Sequence, residues 1–439
     1  MQRGVFKRPR AGDWLKRATA GYCILVFACS AAAGDAKPAA PPADLSEARA
    51  YWLSADTLAW PVDAGSTVSL HSSPAGDLEV NRTGLKGGEA IALQSTGAVS
   101  GDLAGRFPHL AGLPVFRLPA SAVERAPEIL KTQFALSAVD ADGLLQDATA
   151  VQHAGVLDEL FTWNGPLGVT YEGNTPVFRL WAPTARSVKL LVFDSSDPAA
   201  TPSHTLPMDE DAGTGTWVLK GETDWNRKLY LYEVEVYVRR TGRIETNRVT
   251  DPYSHSLSMD SRRSQVVNLG DGDLAPDGWA ALQKPALNKP EDIVLYELHV
   301  RDFSISDTSV PDEDRGTFQA FTRAQSNGMR HLQRLADSGL SHVHLLPAFD
   351  CATIPENPRD REEPGDLSAL PPDSPAQQQA VDRVRARDAF NCCYDPYHFT
   401  VPEGSYATDP DGVARIREFR AMVAALNRSG LRVVMDVVY

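Results

Sequence analysis

The last third of the chain switches repeatedly between two hydrophobic periods, and this limits it to a parallel sheet covered by helices. Ile293 to Val300, "IVLYELHV", is a continuous apolar run of strand length. "TFQAFTRAQSNGMRHLQRLADSG" has helical spacing and stops at Gly339, and "HVHLLPAFD" is a second strand. "GVARIREFRAMVAALNRSG" sets Ile416, Phe419, Met422, Val423 and Leu426 on one helical face, and "RVVMDVV" is a third strand. Strand, helix, strand, helix, strand predicts right-handed βαβ units, with the sheet buried on both faces. A polar insertion over about 352–388 interrupts the second unit.

The preceding residues have a different rhythm. From Tyr51 to about Gly155, short alternating runs such as "STVSLHSSPAGDLEV" are broken by turn residues, which predicts a β-sandwich. From about Asp158 to Leu274 a second set, including "PVFRLWAPTARSVKLLVFD" and "KLYLYEVEVYV", predicts another. The expected organisation is a leader over 1–33, a Pro/Ala-rich linker over 34–47, β domains over 48–155 and 156–287, and the strand–helix region over 288–439.

A net charge of −14 argues against nucleic-acid binding, which needs basic patches. Basic residues cluster only at the start, from Arg3 to Arg17, ahead of the short apolar "GYCILVFACSAAAGDA". That is the pattern of a secretory signal, too short for a membrane span of ~20 apolar residues. Cleavage is expected either near Ala31 to Ala33 or before Cys29, because Val26-Phe27-Ala28-Cys29 is similar to a bacterial lipobox. Acylation of Cys29 would anchor the protein to a membrane; the expected location is secreted, periplasmic or cell-surface. Beyond the leader stand Cys351, Cys392 and Cys393. Three cysteines make no disulfide framework; a vicinal Cys392–Cys393 bridge would be strained, and one bridge from Cys351 to either neighbour is the expected oxidised form.

Four stretches occur in a telling order: Leu295 to Ser304, "HLLPAFD" at His344 to Asp350, "YDPYHFTVPEGSYATDPDG" from Tyr394, and the final "VVMDVVY". Together they resemble the type I pullulanase and limit-dextrinase branch of the α-amylase superfamily (glycoside hydrolase family 13). "FRLWAPTARSVKLLVFD" resembles the opening of its starch-binding-type sandwich (family 48-like), and "ARAYWLSADTLAWP" its preceding accessory domain. The resemblance implies two immunoglobulin-like sandwiches followed by the start of a (β/α)8 barrel. It also implies retaining hydrolysis of α-1,6-glucosidic branch points, with α-glucan as the partner: pullulan, starch, glycogen or limit dextrin.

Under the same resemblance Asp436 matches the acid of the motif Asp-Val-Val-Tyr-Asn-His on the third barrel strand and would orient an arginine of the fourth. The nucleophile, the acid/base and the stabilising acid of the family lie on later strands. No catalytic residue is therefore assigned here, and the chain is expected to be an inactive N-terminal fragment. Tyr394 matches the aromatic that stacks on the sugar, and Asp395 would fix its loop. The family reads Asn-Trp-Gly-Tyr-Asp-Pro where this chain has Asn391-Cys392-Cys393-Tyr394-Asp395-Pro396, so a glycine position that could need positive φ carries a Cβ. Glu297, Asp302 and Asp350 lie near strand ends and are expected to be structural.

Other candidates are weaker. His342 and His344 share one strand without a third ligand, and Trp181, alternating with Val177 and Arg179, predicts core or interdomain packing. Trp163 and Trp225 lie in the same unit, and tryptophans exposed there could bind glucan. No cofactor is certain; calcium could take the acidic loop Asp307 to Gly316, although a solvated loop is simpler. A non-catalytic, secreted or lipid-anchored glucan-binding protein is the alternative reading.

Overall fold

The computed structural model describes residues 43–63 and 65–439. The leader over 1–33, with Cys29, lies outside the described residues. So does most of the expected linker, but its last residues do not form a linker: a strand runs over Asp44–Ser54 and pairs in parallel with Leu145–Gln152. Proline enrichment ends at Pro42, and every later residue of this stretch has an N–H for a sheet ladder.

The first module has eight strands in one hydrogen-bonded path, not two facing sheets. Its two edge strands, Glu89–Ala92 and Gln94–Ala98, are separated by Leu93 alone, so the sheet curls into a nearly closed barrel. Trp52, Leu58, Leu70, Ile91, Phe116 and Leu136 share one core inside it. The expected sandwich is corrected here. Short alternating strands serve sandwiches and barrels equally, and closure is decided by pairings such as Asp44 with Thr149, invisible in local pattern.

The second module is a sandwich. One sheet contains Thr175–Trp181 and Thr216–Lys220; the other contains Ser187–Phe193 and Leu229–Val238. Phe178, Leu180, Leu190, Trp217, Tyr230 and Tyr232 meet between them. The buried hydroxyls of Tyr230 and Tyr232 both donate to Asp251, at 2.8 and 3.1 Å, so neither ring leaves a polar atom unpaired.

The strand–helix region forms as its periodicity predicts. Leu295–Leu298, His342–Leu345 and Arg432–Met435 lie parallel, with the second in the middle. The helix Asn327–Asp337 is capped by Ser326 Oγ, which accepts from Met329 N, and is followed by Gly339 at φ 109°. The helix Ala414–Arg428 buries Ile416, Met422 and Leu426. The insertion carries its own helix, Ala376–Val384. Phe349–Cys351 leaves the parallel sheet and pairs antiparallel with Pro396–Pro402. That ribbon brings the residues after Tyr394 beside the ends of the parallel strands.

Candidate functional site

Tyr394 and Asp436, two of the residues singled out in the sequence, meet at the C-terminal ends of the parallel strands. Tyr394 is 48% exposed, and its hydroxyl donates to Asp436 Oδ2 at 2.6 Å. Asp436 follows the third strand, where its N–H donates to the Leu345 carbonyl at 2.9 Å. The bond to Asp436 is the main reason the phenol is pushed up to about 12, helped by slight burial and the charges of Asp436 and Glu297. The ring is therefore a neutral, fixed plane open to solvent. Among the described residues, the partner of Asp436 is this hydroxyl.

The loop under Tyr394 is tied down at several points. Cys351 and Cys393 form a disulfide, leaving Cys392 as a free thiol. Of the two bridges open in sequence, this one uses the fully buried cysteine. Asn391 Oδ1 accepts from Cys393 N at 2.8 Å, while Asn391 Nδ2 donates to Asp395 at 3.1 Å and to Thr353 Oγ1 at 3.0 Å. Thr353 also donates to Asp395, so this acid spends its charge on holding the loop. His299 Nε2 contacts the Asn391 carbonyl at 2.8 Å, and Phe390 lies over the His299 ring at 5.2 Å. Sequence reasoning missed His299 and Phe390, and gave Asn391 a place in the family motif but no role. Nothing in their spacing marks them, because each acts through a residue about forty to a hundred positions away or through its own loop.

Cys393 has φ of 59°, the left-handed conformation that glycine adopts without cost. Strain of ~1–3 kcal/mol is thus stored beneath the exposed tyrosine.

The other acids have local partners. Glu297, on the first strand, faces His344 Nδ1 at 3.6 Å, and Asp302 pairs with Arg301 at 3.2 Å. His342 is buried, with its ring at 2.8 Å from Ser341 Oγ. In the loop considered for calcium, Asp312 pairs with Arg315 and Asp314 with Arg323. Burial raises the Asp307 carboxyl, but hydrogen bonds from Ser309, Gly328 and Asn327 win and hold it at about 2.

Asp350 belongs to a buried ionic hub, which sequence reasoning also missed. Arg415, fully buried, reaches Asp350 at 3.3 Å and Glu356 at 2.9 Å. His398 Nδ1 lies 2.7 Å from Asp350. Ser261 Oγ of the sandwich donates to Asp350 at 2.7 Å, and Glu356 N donates to Asp260 Oδ1 at 3.1 Å. Burial raises Glu356 to about 8 and Glu403 to about 7, with neighbouring carboxylates adding to it. Asp350, Glu356 and Glu403 stand close enough to hold a cation. The guanidinium of Arg415 already supplies positive charge there, so the cluster reads as a clamp between sandwich and parallel sheet. A Cβ on Gly404 would collide with the Glu356 carboxylate, which explains the glycine in "PEGSY".

The tryptophans divide by burial. Trp225 lies in the sandwich core, 2% exposed. Trp181 Nε1 donates to the Phe161 carbonyl at 2.9 Å, and its ring packs against the core of the first module. Trp163 lies under the Arg179 guanidinium at 4.2 Å.

Two family models match: the pullulanase N2 domain over residues 47–159, and carbohydrate-binding module 48 (isoamylase N-terminal domain) over residues 166–254. Pullulanase 1 of Arabidopsis thaliana chloroplasts is 39% identical over 398 residues, covering 89% of this chain and 41% of that protein. The pullulanase of Klebsiella pneumoniae is 36% identical, covering 89% and 39%. A crystal structure of the Klebsiella pneumoniae enzyme with maltotriose superposes with a TM-score of 0.84 at 35% identity, over 90% of this chain and 46% of that one. The chain spans about two fifths of the length of these curated relatives. In sequence and in fold, over about nine tenths of its own length, the chain is similar to the N-terminal parts of pullulanases and carries their N2 and carbohydrate-binding 48 domains.

Proposed function

We propose that the chain is the glucan-contacting N-terminal part of a debranching hydrolase that cleaves α-1,6-glucosidic linkages in pullulan, starch and limit dextrins with retention of configuration. One observation carries this reading: an exposed aromatic plane, Tyr394, locked by Asp436, Asn391, Asp395 and a disulfide at the C-terminal ends of parallel strands. Active sites of (β/α)8 barrels lie at that end, and the three strands read as the first three of such a barrel. A sugar ring offers an apolar face to a plane of this kind.

Retaining glycosidases use two carboxylates about 5 Å apart, one attacking the anomeric carbon and the other moving the proton. On the three strands, Asp436 is bound by Tyr394, Glu297 faces His344, and Asp350 is locked in the hub. The reacting pair is therefore assigned to strands beyond these three, and the chain by itself binds glucan without cutting it. The buried disulfide supports assembly in an oxidising compartment, in line with export, with or without a lipid on Cys29.

The test is titration of the intact chain with maltotriose, alongside incubation with pullulan. Tyr394→Ala should weaken binding roughly tenfold, while Tyr394→Phe keeps most of it, since stacking rather than the hydroxyl makes the contact. Unchanged affinity in Tyr394→Ala, or reducing sugar released by the purified chain, overturns the reading. The match to a carbohydrate-binding module favours one alternative, a glucan-binding protein without catalysis. An in-frame Asn-His pair encoded after Tyr439 would speak for the enzyme, and a stop codon for the binder.

A further inference from the structure

A cavity of about 400 Å³ lies where the first module meets the sandwich, away from the Tyr394 site. Its walls are Phe161, Trp163, Trp181 and Tyr253, with Asp158 and Thr162 among its polar lining. We propose that this cavity is a second α-glucan-binding site; the choice of ligand rests on the glucan reading above, the existence of the site does not.

The aromatic walls are held in place. The indole N–H of Trp181 is spent on the Phe161 carbonyl at 2.9 Å, and that of Trp163 on the Pro166 carbonyl at 3.2 Å. Both rings thus present carbon surface, not a donor in search of a partner. Trp163 is further fixed by Arg179 above it, and Gly165 lies so close to its ring that a Cβ there would collide. Tyr253 is 45% exposed. Its backbone is pinned by Tyr253 N donating to Asp251 Oδ1 at 2.8 Å and by the close approach of Gly168, at φ 80°. Tyr253 thus adds an exposed aromatic face on a fixed backbone to the concave wall made by Trp163 and Trp181.

The polar side is Asp158, on the helix Ala154–Leu160. It sits in the last turn, where the helix dipole disfavours a negative charge. Its exposed carboxylate has no hydrogen-bond or ion-pair partner among the described residues. An ionised carboxylate has four lone-pair sites, enough for a pair of neighbouring sugar hydroxyls. Aromatic planes with one acceptor-only group beside them suit a neutral polyhydroxylated ring better than an anion, which Asp158 would repel, or a wholly apolar molecule, which would strand its charge. The larger cavity lined by Phe134, His153 and Tyr237 has a cation, Arg239, and no carboxylate beside its rings, so it lacks this combination.

The experiment is calorimetric titration of the intact chain with maltoheptaose, comparing the parent with Tyr253→Ala, Asp158→Asn and Tyr394→Ala. The parent should bind at two sites. Tyr253→Ala should weaken one of them roughly tenfold and Asp158→Asn by a similar factor, each leaving the other unchanged. Tyr394→Ala should do the reverse. If Tyr253→Ala and Asp158→Asn both bind as the parent does, the second site is overturned while the Tyr394 reading stands. If they lose a site and Tyr394→Ala does not, the second site stands and the Tyr394 reading falls. Absence of any binding by the parent overturns both. Circular dichroism of each variant identifies loss of fold; Asp158→Asn, a surface isostere, keeps the test decisive if Tyr253→Ala unfolds.

Discussion

Cys393 combines two opposing contributions at one position. Its side chain closes a bridge across 42 residues of sequence, worth ~2–4 kcal/mol, while its φ of 59° costs ~1–3 kcal/mol. The two can be separated. Thermal midpoints should fall in the order oxidised parent, Cys393→Gly, reduced parent, because glycine removes the strain along with the bridge. A Cys393→Gly midpoint below that of the reduced parent would show the backbone to be unstrained. At this scale the sequence was partly legible. Tyr394 was found because "YDPYHFTVPEGSY" is distinctive, and the glycine position under Cys393 marked where positive φ could be needed. The choice between Cys392 and Cys393 was not legible, since neighbours in sequence have nearly the same separation from Cys351 and only burial distinguishes them.

Among the elements, the clamp between sandwich and parallel sheet carries the sharpest expectations. Arg415 on its helix faces Asp350, Glu356 and Glu403, with His398 and Arg361 nearby. Arg415→Met should destabilise the chain by ~3–5 kcal/mol in denaturant unfolding, because it takes the guanidinium away from the buried Asp350. Glu356 and Glu403 both hold their protons more tightly folded than unfolded. Their contribution is therefore complete below about pH 4.5, the ordinary carboxyl range, and is lost as pH rises towards about 8. The thermal midpoint should drop between pH 5 and 8.5, and Glu403→Gln should flatten that slope; an equal slope in the variant would assign it elsewhere. Strand and helix periodicity made the parallel region readable, down to the buried face of Ala414–Arg428. The clamp was unreadable because its charges are scattered from Asp260 to Arg415, and each alone looks like a surface residue.

For the whole molecule, the outer two of the three parallel strands have no further strand beside them among the described residues. Val294, Leu295 and Tyr296 on one side and Val434, Val437 and Val438 on the other are each more than a third exposed. Unpaired strand edges flanked by apolar side chains template association. The purified chain should self-associate with rising concentration in sedimentation experiments, and the double variant Leu295→Lys/Val434→Lys should stay monomeric over a wider range. The seam further upstream behaves differently. The two family matches stop at 159 and resume at 166, yet the Trp181 ring, from the second, completes the packing of the first, and Lys131 reaches across to Glu210 at 2.6 Å. The packed unit is thus larger than either matched domain: cutting the chain between them would expose the Trp181 indole on one product and uncover the Phe161 end of the core on the other.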